Sequence, residues 1–295
     1  MPPFFSIVVP CYKRSDILPA TVASILRQHD PDFELIIVDD GSPDDTYTVA
    51  TELAATDHRI RVFRKANGER GAARNYGAQQ ALGRYVNFFD SDDEMYPNHL
   101  STVRDYLASH DDVELLHTGY EIIGDAGQVV KEVCDFRVST NEVLIHNNFL
   151  ACNTVFVRRD IALANPFVED RRLASAEDWE LWLRLASLYT FHSISAKTFC
   201  LREHDGRSLN TIAPEAVRQR DELFAQLMAT NPAFCRQYPQ KVSYFVANRY
   251  TFITLTFALS KTRRADTLLY LAKALRTDPT VLWRRRFLAS IKHLI

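Results

Sequence analysis

The sequence predicts an α/β protein: a mixed sheet flanked by helices over residues 1–210, then an all-helical region over 211–295. Three observations carry this reading. Short apolar runs alternate with helical stretches of about ten residues through the first hundred positions, the pattern of parallel strands with helices on both faces. Polar loops follow three of those runs, at the carboxyl ends of strands, where sheets of this kind bind ligands. From Pro214 onward the apolar spacing is helical throughout. With 295 residues, the chain has room for one large α/β domain and a helical appendage.

Taken in order, Phe5-Ser6-Ile7-Val8-Val9 reads as a strand stopped by Pro10, and Cys11-Tyr12-Lys13-Arg14 as the loop leaving it. A helix follows with Ile17, Leu18, Val22, Ile25 and Leu26 on one face. Phe33 to Val38 is a second buried strand, ended by Asp39-Asp40-Gly41-Ser42. A helix from Asp44, a strand at Ile60–Phe63 and a helix opened by Gly71-Ala72-Ala73-Arg74 come next, and the strand Tyr85–Phe89 closes this half. Downstream, Val113–Thr118 and Thr154–Arg158 read as strands, as does Thr198–Leu201. Glu121–Ile123 and Val129–Val133, around Gly124-Asp125-Ala126-Gly127, predict a hairpin.

Composition narrows the class. At 46% hydrophobic and 24% charged the chain is globular, without repeats or low-complexity tracts. Met-Pro-Pro leads directly into a strand, so no signal peptide is expected. The five cysteines are scattered and form no CxxC pair, which argues against a zinc knuckle and for a reducing, cytoplasmic setting. Net charge is −2, but residues 210–295 hold 14 Lys and Arg against 5 Asp and Glu, while the rest holds 21 against 32. A basic segment behind an acidic body points to an anionic surface as partner. Leu268, Leu269, Leu271, Ala272 and Leu275 predict one apolar helix face there, and Val281, Leu282, Phe287, Leu288, Ile291 and Leu294 another, interleaved with Arg284, Arg285, Arg286 and Lys292. A basic amphipathic helix of this kind suits the surface of an anionic membrane. Without aromatic stacking positions among the charges, nucleic acid is not the expected partner. A helical cap on the α/β domain and a homodimer interface are the other uses of such a region.

Function concentrates at Asp90-Ser91-Asp92-Asp93, directly after the apolar run Tyr85–Phe89. Three carboxylates at the end of a buried strand are costly unless positive charge sits among them, and a hard divalent cation bound with a substrate phosphate is one compensation. The purely structural alternative is an acidic turn before Pro97. The runs Ser-Ile-Val-Val-Pro-Cys-Tyr-Lys-Arg, Phe-Glu-Leu-Ile-Ile-Val-Asp-Asp-Gly-Ser, Gly-Ala-Ala-Arg-Asn-Tyr-Gly and Phe-Phe-Asp-Ser-Asp-Asp resemble, in order and spacing, the successive motifs of family 2 glycosyltransferases. That resemblance covers residues 4–100 and continues more weakly to about 210. It implies the GT-A fold, a nucleotide-sugar donor and inversion at the anomeric carbon. Residues 1–100 would then form the nucleotide-binding half and 101–210 the acceptor half.

Carried over residue by residue, the resemblance implies that Pro10, Tyr12 and Arg14 line the base pocket and that Asp40 accepts from the base ring N–H, with uracil favoured. Arg74 walls the nucleotide site. Asp90, with Ser91 beside it, faces the ribose or the metal, while Asp92 and Asp93 hold Mn²⁺ or Mg²⁺. In Ser175-Ala176-Glu177-Asp178-Trp179, the segment resembling the family's Glu-Asp motif, Asp178 is the general base and Glu177 its support or its substitute. On spacing alone Asp178 reads as an ordinary first-turn acid, favoured by the helix dipole. His204, in Arg202-Glu203-His204-Asp205-Gly206-Arg207-Ser208, resembles the histidine that completes the metal shell. The implied partners are a UDP-sugar and a saccharide or lipid-linked saccharide acceptor in bacterial surface polysaccharide or glycolipid assembly, with the protein peripheral on the membrane's cytoplasmic face. Two rivals are a sugar-phosphate nucleotidyltransferase, which should show a glycine-rich loop after the first strand, and an inactive scaffold, which should have lost its carboxylates. Pro10 to Arg14 contains no glycine, and Asp40, Asp92 and Asp178 are all present.

Overall fold

A computed structural model describes residues 2–124, 126–202, 213–260 and 263–294. They fall into two compact units, each assembled from separate stretches of chain. The first comprises Met1–Val143, Asn148–Glu169 and Tyr189–Arg207; the second comprises Leu144–Asn147, Asp170–Leu188 and Ser208–Ile295.

In the first unit β1 (Phe5–Cys11) and β2 (Phe33–Asp39) are buried at every position, because each has a strand on both sides and helices above and below. Between them runs α1 (Leu18–Leu26), which buries Leu18, Val22 and Ile25. Next come α2 (Thr46–Thr56), β3 (Ile60–Arg64), α3 (Glu69–Gln80), β4 (Tyr85–Phe88), the two-residue β5 (Glu94–Met95) and α4 (His99–Ser109). The rest of the unit holds β6 (Leu115–Ile123), β7 (Val129–Val133), α5 (Thr140–Leu144), β8 (Val155–Arg158), α6 (Arg159–Ala164) and β9 (Phe191–Arg202). Among the described residues these nine strands form one sheet in the order β3-β2-β1-β4-β8-β6-β9-β5, with β7 on β6. The first four are parallel, β8 is antiparallel to both β4 and β6, and β9 returns parallel to β6. The sheet is therefore mixed, as expected.

Register places the candidate site. Cys11 pairs with Asp39 and Val8 with Phe88, so the loops leaving β1, β2 and β4 emerge side by side on one rim. Pro10 does not stop β1, which runs one residue further, to Cys11. Helix α3 lies against β1 at Gly77, where a Cβ would meet Val8 Cγ1 at 2.3 Å. The predicted hairpin is present: β6 pairs with β7 and Gly127 takes φ +78°.

The second unit contains α7 (Glu177–Ala186), α8 (Pro214–Thr230), α9 (Pro232–Gln237), α10 (Val242–Ser260), α11 (Arg264–Thr277), a 3₁₀ turn at Pro279–Trp283 and α12 (Arg285–Leu294). Helix α10 has no polar face because it is central: Ala247 is buried in one cluster with Ala274, Val281 and Phe287, Ile253 and Phe257 in another with Tyr270, and Phe245 against Trp179, Phe224 and Phe234. Helix α11 is present as expected, and of its leucines Leu271 and Leu275 pack, partly buried, against the cluster of Ala247 and Ala274. Its buried positions are Thr267, Tyr270 and Ala274, which leaves Leu268 and Leu269 half exposed, and Leu282 and Leu288 also lie outward. Among the described residues, no helix is long and apolar enough to cross a membrane.

Candidate active site

The first rim loop is pinned by backbone hydrogen bonds. Asp40 N–H donates to the Cys11 carbonyl (2.9 Å), Lys13 N–H to Ser42 Oγ (3.1 Å) and Arg14 N–H to Thr46 Oγ1 (2.8 Å). Lys13 takes φ +55°, a region that non-glycine side chains seldom adopt. Pro10 is buried, whereas Tyr12 is 41% exposed, with Lys13 Nζ 5.5 Å from its ring centroid. Burial, with Asp39 next in weight, pushes the Cys11 thiol up to about 12, so it is no nucleophile here.

The second loop turns on Gly41 at φ +72°, where a Cβ would press on Asn67 N at 2.9 Å. Neither aspartate caps α2, whose N-cap is Asp45. Asp39 accepts from Ser42 N–H (3.1 Å) and pairs with Arg64. Asp40 is buried and accepts from Lys65 Nζ (2.8 Å), Gly68 N–H (2.9 Å) and Asn67 Nδ2 (3.2 Å). It therefore ties residues 65–68 to the rim, and any base N–H it accepts would join a carboxylate already holding three donors.

The acidic loop separates its members. Asp90 Oδ1 accepts from Arg74 Nη2 (2.8 Å) while its own N–H donates to Asn153 Oδ1 (3.1 Å). Arg74 is 2% exposed, its guanidinium 5.4 Å from the Phe167 ring. Asp92 pairs with Arg14 at 3.3 Å. Asp93 is buried and accepts from Asn153 Nδ2 (2.9 Å) and Arg202 N–H (3.3 Å). Ser91 is buried too, and Thr21 Oγ1 on α1 lies 3.0 Å from the carbonyls of both Ser91 and Asp93. Arg14, Arg74, Asn153 and the Arg202 N–H thus supply much of the compensation that the clustered carboxylates demand. Asp90 and Asp92 keep solvent-exposed oxygen, and Asp93 is committed to the protein.

Hard carboxylate oxygens suit Mn²⁺ or Mg²⁺. Among the described residues no three His, Cys, Asp or Glu side chains assemble into a metal-holding set. A cation here would therefore take Asp92, with Asp90 beside it, and fill its remaining positions from phosphate and water. His204 lies outside the described residues.

In the second unit the first turn of α7 carries Glu177, Asp178 and Glu180. Ser175, just before it, takes φ +69°. Glu177, Trp179 and Glu180 are buried, but Asp178 is only half-buried, its Oδ1 accepting from Trp179 N–H (2.7 Å). Of the two candidate bases, Asp178 has the better access to solvent. Beneath it, Trp179 donates to the Leu144 carbonyl (2.8 Å) and meets Phe224 edge-on at 5.3 Å, with the Arg249 guanidinium 4.3 Å from its ring. Arg249 is buried beside Asp221 (3.2 Å), and that burial pulls it down to about 10. Three of the four non-glycine residues at positive φ among those described are Lys13, Glu69 and Ser175, at the mouths of the motif loops; backbone strain of this kind gathers at functional sites.

Sequence reading missed Thr21, Lys65 and Asn153, which hold the loops in place. It quoted Asn75 only within a motif. Asn75 clamps residues 167–169 to α3, accepting from Phe167 N–H (2.8 Å) and donating to the Phe167 carbonyl (2.9 Å) and Glu169 (2.8 Å).

The profile described as "Glycosyl transferase family 2" matches residues 6–162, more than half of the chain. The chain belongs to that family. An uncharacterized glycosyltransferase of Rickettsia felis is 33% identical over 184 residues, covering 62% of this chain but 30% of that protein. The Escherichia coli UDP-Glc:alpha-D-GlcNAc-diphosphoundecaprenol beta-1,3-glucosyltransferase WfgD is 29% identical over 195 residues, covering 66% of this chain and 74% of WfgD. Residues 1–349 of Staphylococcus aureus TarS, solved in complex with UDP-GlcNAc, superpose with a TM-score of 0.74 at 21% identity, covering 98% of this chain and 88% of that one. The last likeness establishes the GT-A arrangement expected from the motifs.

Proposed function

We propose that this family 2 member is an inverting glycosyltransferase, moving a sugar from a nucleotide-sugar to an acceptor hydroxyl in bacterial surface polysaccharide or glycolipid assembly. The observation that carries the reading is the rim of the first unit. Tyr12, Arg14, Asp90 and Asp92 are gathered there by the ends of β1 and β4 in register, with Arg74 of α3 paired to Asp90. A UDP-sugar is the favoured donor because WfgD is named for UDP-Glc and TarS was solved with UDP-GlcNAc.

In this reading Tyr12 stacks on the base and Asp40 holds the loop that borders it. Arg74 orients Asp90 through their ion pair. Asp92 would hold Mn²⁺ or Mg²⁺, which when bound stabilises the charge gathering on the departing diphosphate. Asp178 takes the acceptor hydroxyl proton as that oxygen bonds to the anomeric carbon, and the bond from carbon to phosphate oxygen breaks with its electron pair leaving on the diphosphate. A partly exposed carboxylate in the first turn of the helix suits that role. Glu177, buried beside it, is a supporting residue.

Calorimetric binding of UDP, GDP, CDP and dTDP, each with and without Mn²⁺, tests the proposal. One nucleotide should bind tightly and only with metal. Folded protein that binds none of them would remove the donor-site reading.

A further inference from the structure

The second unit carries a surface that the transfer reaction does not use. The 3₁₀ turn at Pro279–Trp283 buries Val281 and turns the next two residues outward, leaving Leu282 43% and Trp283 86% exposed. Arg284 and Arg285, both exposed, follow at once. Helix α12 then buries Phe287 and Ser290, and helical spacing puts Arg285, Leu288 and Lys292 together on the opposite, solvent face. One continuous edge thus presents a tryptophan and two leucines among three cations.

A tryptophan this exposed loses apolar burial with no compensation inside the fold, and an indole flanked by cations matches the water–hydrocarbon boundary of a bilayer. The charge sets the kind of bilayer. No Asp or Glu lies between Pro279 and the C-terminus, and the segment from 210 onward carries the excess of Lys and Arg noted above. Cations so placed are each attracted to an anionic leaflet. We infer that the edge formed by Leu282, Trp283, Arg284, Arg285, Leu288 and Lys292 docks the protein reversibly on an anionic membrane, with Trp283 inserted at headgroup depth. This does not depend on the transferase reading, and either can fail alone.

The molecule carries its own reporter. Of its three tryptophans, Trp179 and Trp182 are buried, so Trp283 is the water-exposed emitter. The full chain is mixed with vesicles of phosphatidylcholine plus phosphatidylglycerol, and separately with phosphatidylcholine alone. Binding is read by co-sedimentation and by the tryptophan emission maximum. The expected result is binding to the anionic vesicles with a blue shift, weakened by salt. The shift should vanish in W283F, whose remaining tryptophans are buried. Binding should fall roughly thirtyfold in R285Q/K292Q, with about one-fifth of the affinity retained for each charge removed. The substituted side chains are exposed, and unchanged thermal melts would show that the fold survives. Equal binding to neutral vesicles, no binding to either, or a blue shift that persists in W283F would overturn the inference. A shift that instead tracks protein concentration without lipid, with a doubled mass in light scattering, would assign the edge to a second copy of the chain and overturn it equally.

Discussion

Arg14 and Asp92 make an ion pair that any cation at Asp92 must break, so R14Q gives a prediction whose sign is set by the geometry. Nη2 and Oδ2 stand 3.3 Å apart, with the side chains 28% and 17% exposed. Two unit charges at that distance attract by about 5 kcal/mol at an effective dielectric near 20. Water reaching both groups, and the ordering of a long side chain, reduce the net worth of such a pair to about 1 kcal/mol. A divalent ion arriving at Asp92 forfeits that amount and meets a displaced positive charge nearby. Removing the guanidinium should therefore tighten Mn²⁺ binding in the absence of nucleotide about fivefold. With UDP present the effect should reverse, because Arg14 belongs to the proposed nucleotide pocket. Electron paramagnetic resonance of free Mn²⁺, titrated with and without UDP, reads both arms, with D92N as the variant that loses the ion. If R14Q binds Mn²⁺ alone no better than the parent while D92N loses it, the competition reasoned here does not exist.

The other predictions are independent of that pair. D178N should keep donor binding and lose transfer by roughly 10²–10⁴-fold, the worth of a positioned base; near-normal turnover would remove Asp178 from the reaction. G77A sets a helix-propensity gain of about 1 kcal/mol against a methyl that would lie 2.3 Å from Val8 Cγ1 in a buried strand, and overpacking of this kind costs about 1–3 kcal/mol. The clash should win, lowering the denaturant midpoint at constant slope. A stabilised G77A would mean that α3 does not press on β1 as described. His117 is fully buried against Thr140 and its burial pulls the imidazole down to about 4. The unfolded chain then binds the proton first, so stability is full above about pH 6.5 and falls, by an amount on the order of 3 kcal/mol, as pH drops towards 4. Burial also pulls the imidazole of His99 down, to about 3, and adds to the loss. Chemical melts from pH 7 to 4.5 should show the combined fall, and H117L should make it shallower without removing it.

What sequence revealed, and what it concealed, follows from where each residue finds its partners. β1, β2 and β4 were legible because strands covered on both faces must be apolar at almost every position, and the loops after them were legible because polar residues there stand out. Most of β9 was not: His192 to Lys197 are only partly buried, so polar residues fill the stretch and only the buried Thr198–Cys200 looks like a strand. Within Asp90 to Asp93 the letters do not say which acid faces outward. That is decided by Asn153, on a turn far along the chain, which holds Asp93 and leaves Asp92 to Arg14. Asp40 likewise reads as a ligand contact until Lys65 and Gly68 are seen on it. On α11 only Leu268 and Leu269 misled: the core took Tyr270 and Ala274, with Leu271 and Leu275 packed partly buried beside it, and left those two outside.

The interleaving of the two units has a consequence for synthesis. The sheet strands that gather the rim leave the ribosome before α7, and when α7 emerges Trp179 has its hydrogen-bond partner Leu144 but none of the aromatic rings that cover it. Its aromatic neighbours Phe224 and Phe245, and Arg249 over its ring, lie on α8 and α10, well downstream. Until those helices are translated, the nascent chain displays a tryptophan-rich helix that chaperones would recognise, and Asp178 has no fixed place. A chain cut before α10 keeps every residue of the rim and loses the scaffold of its candidate base, so the helical region is not a detachable tail that descendants could trade for another.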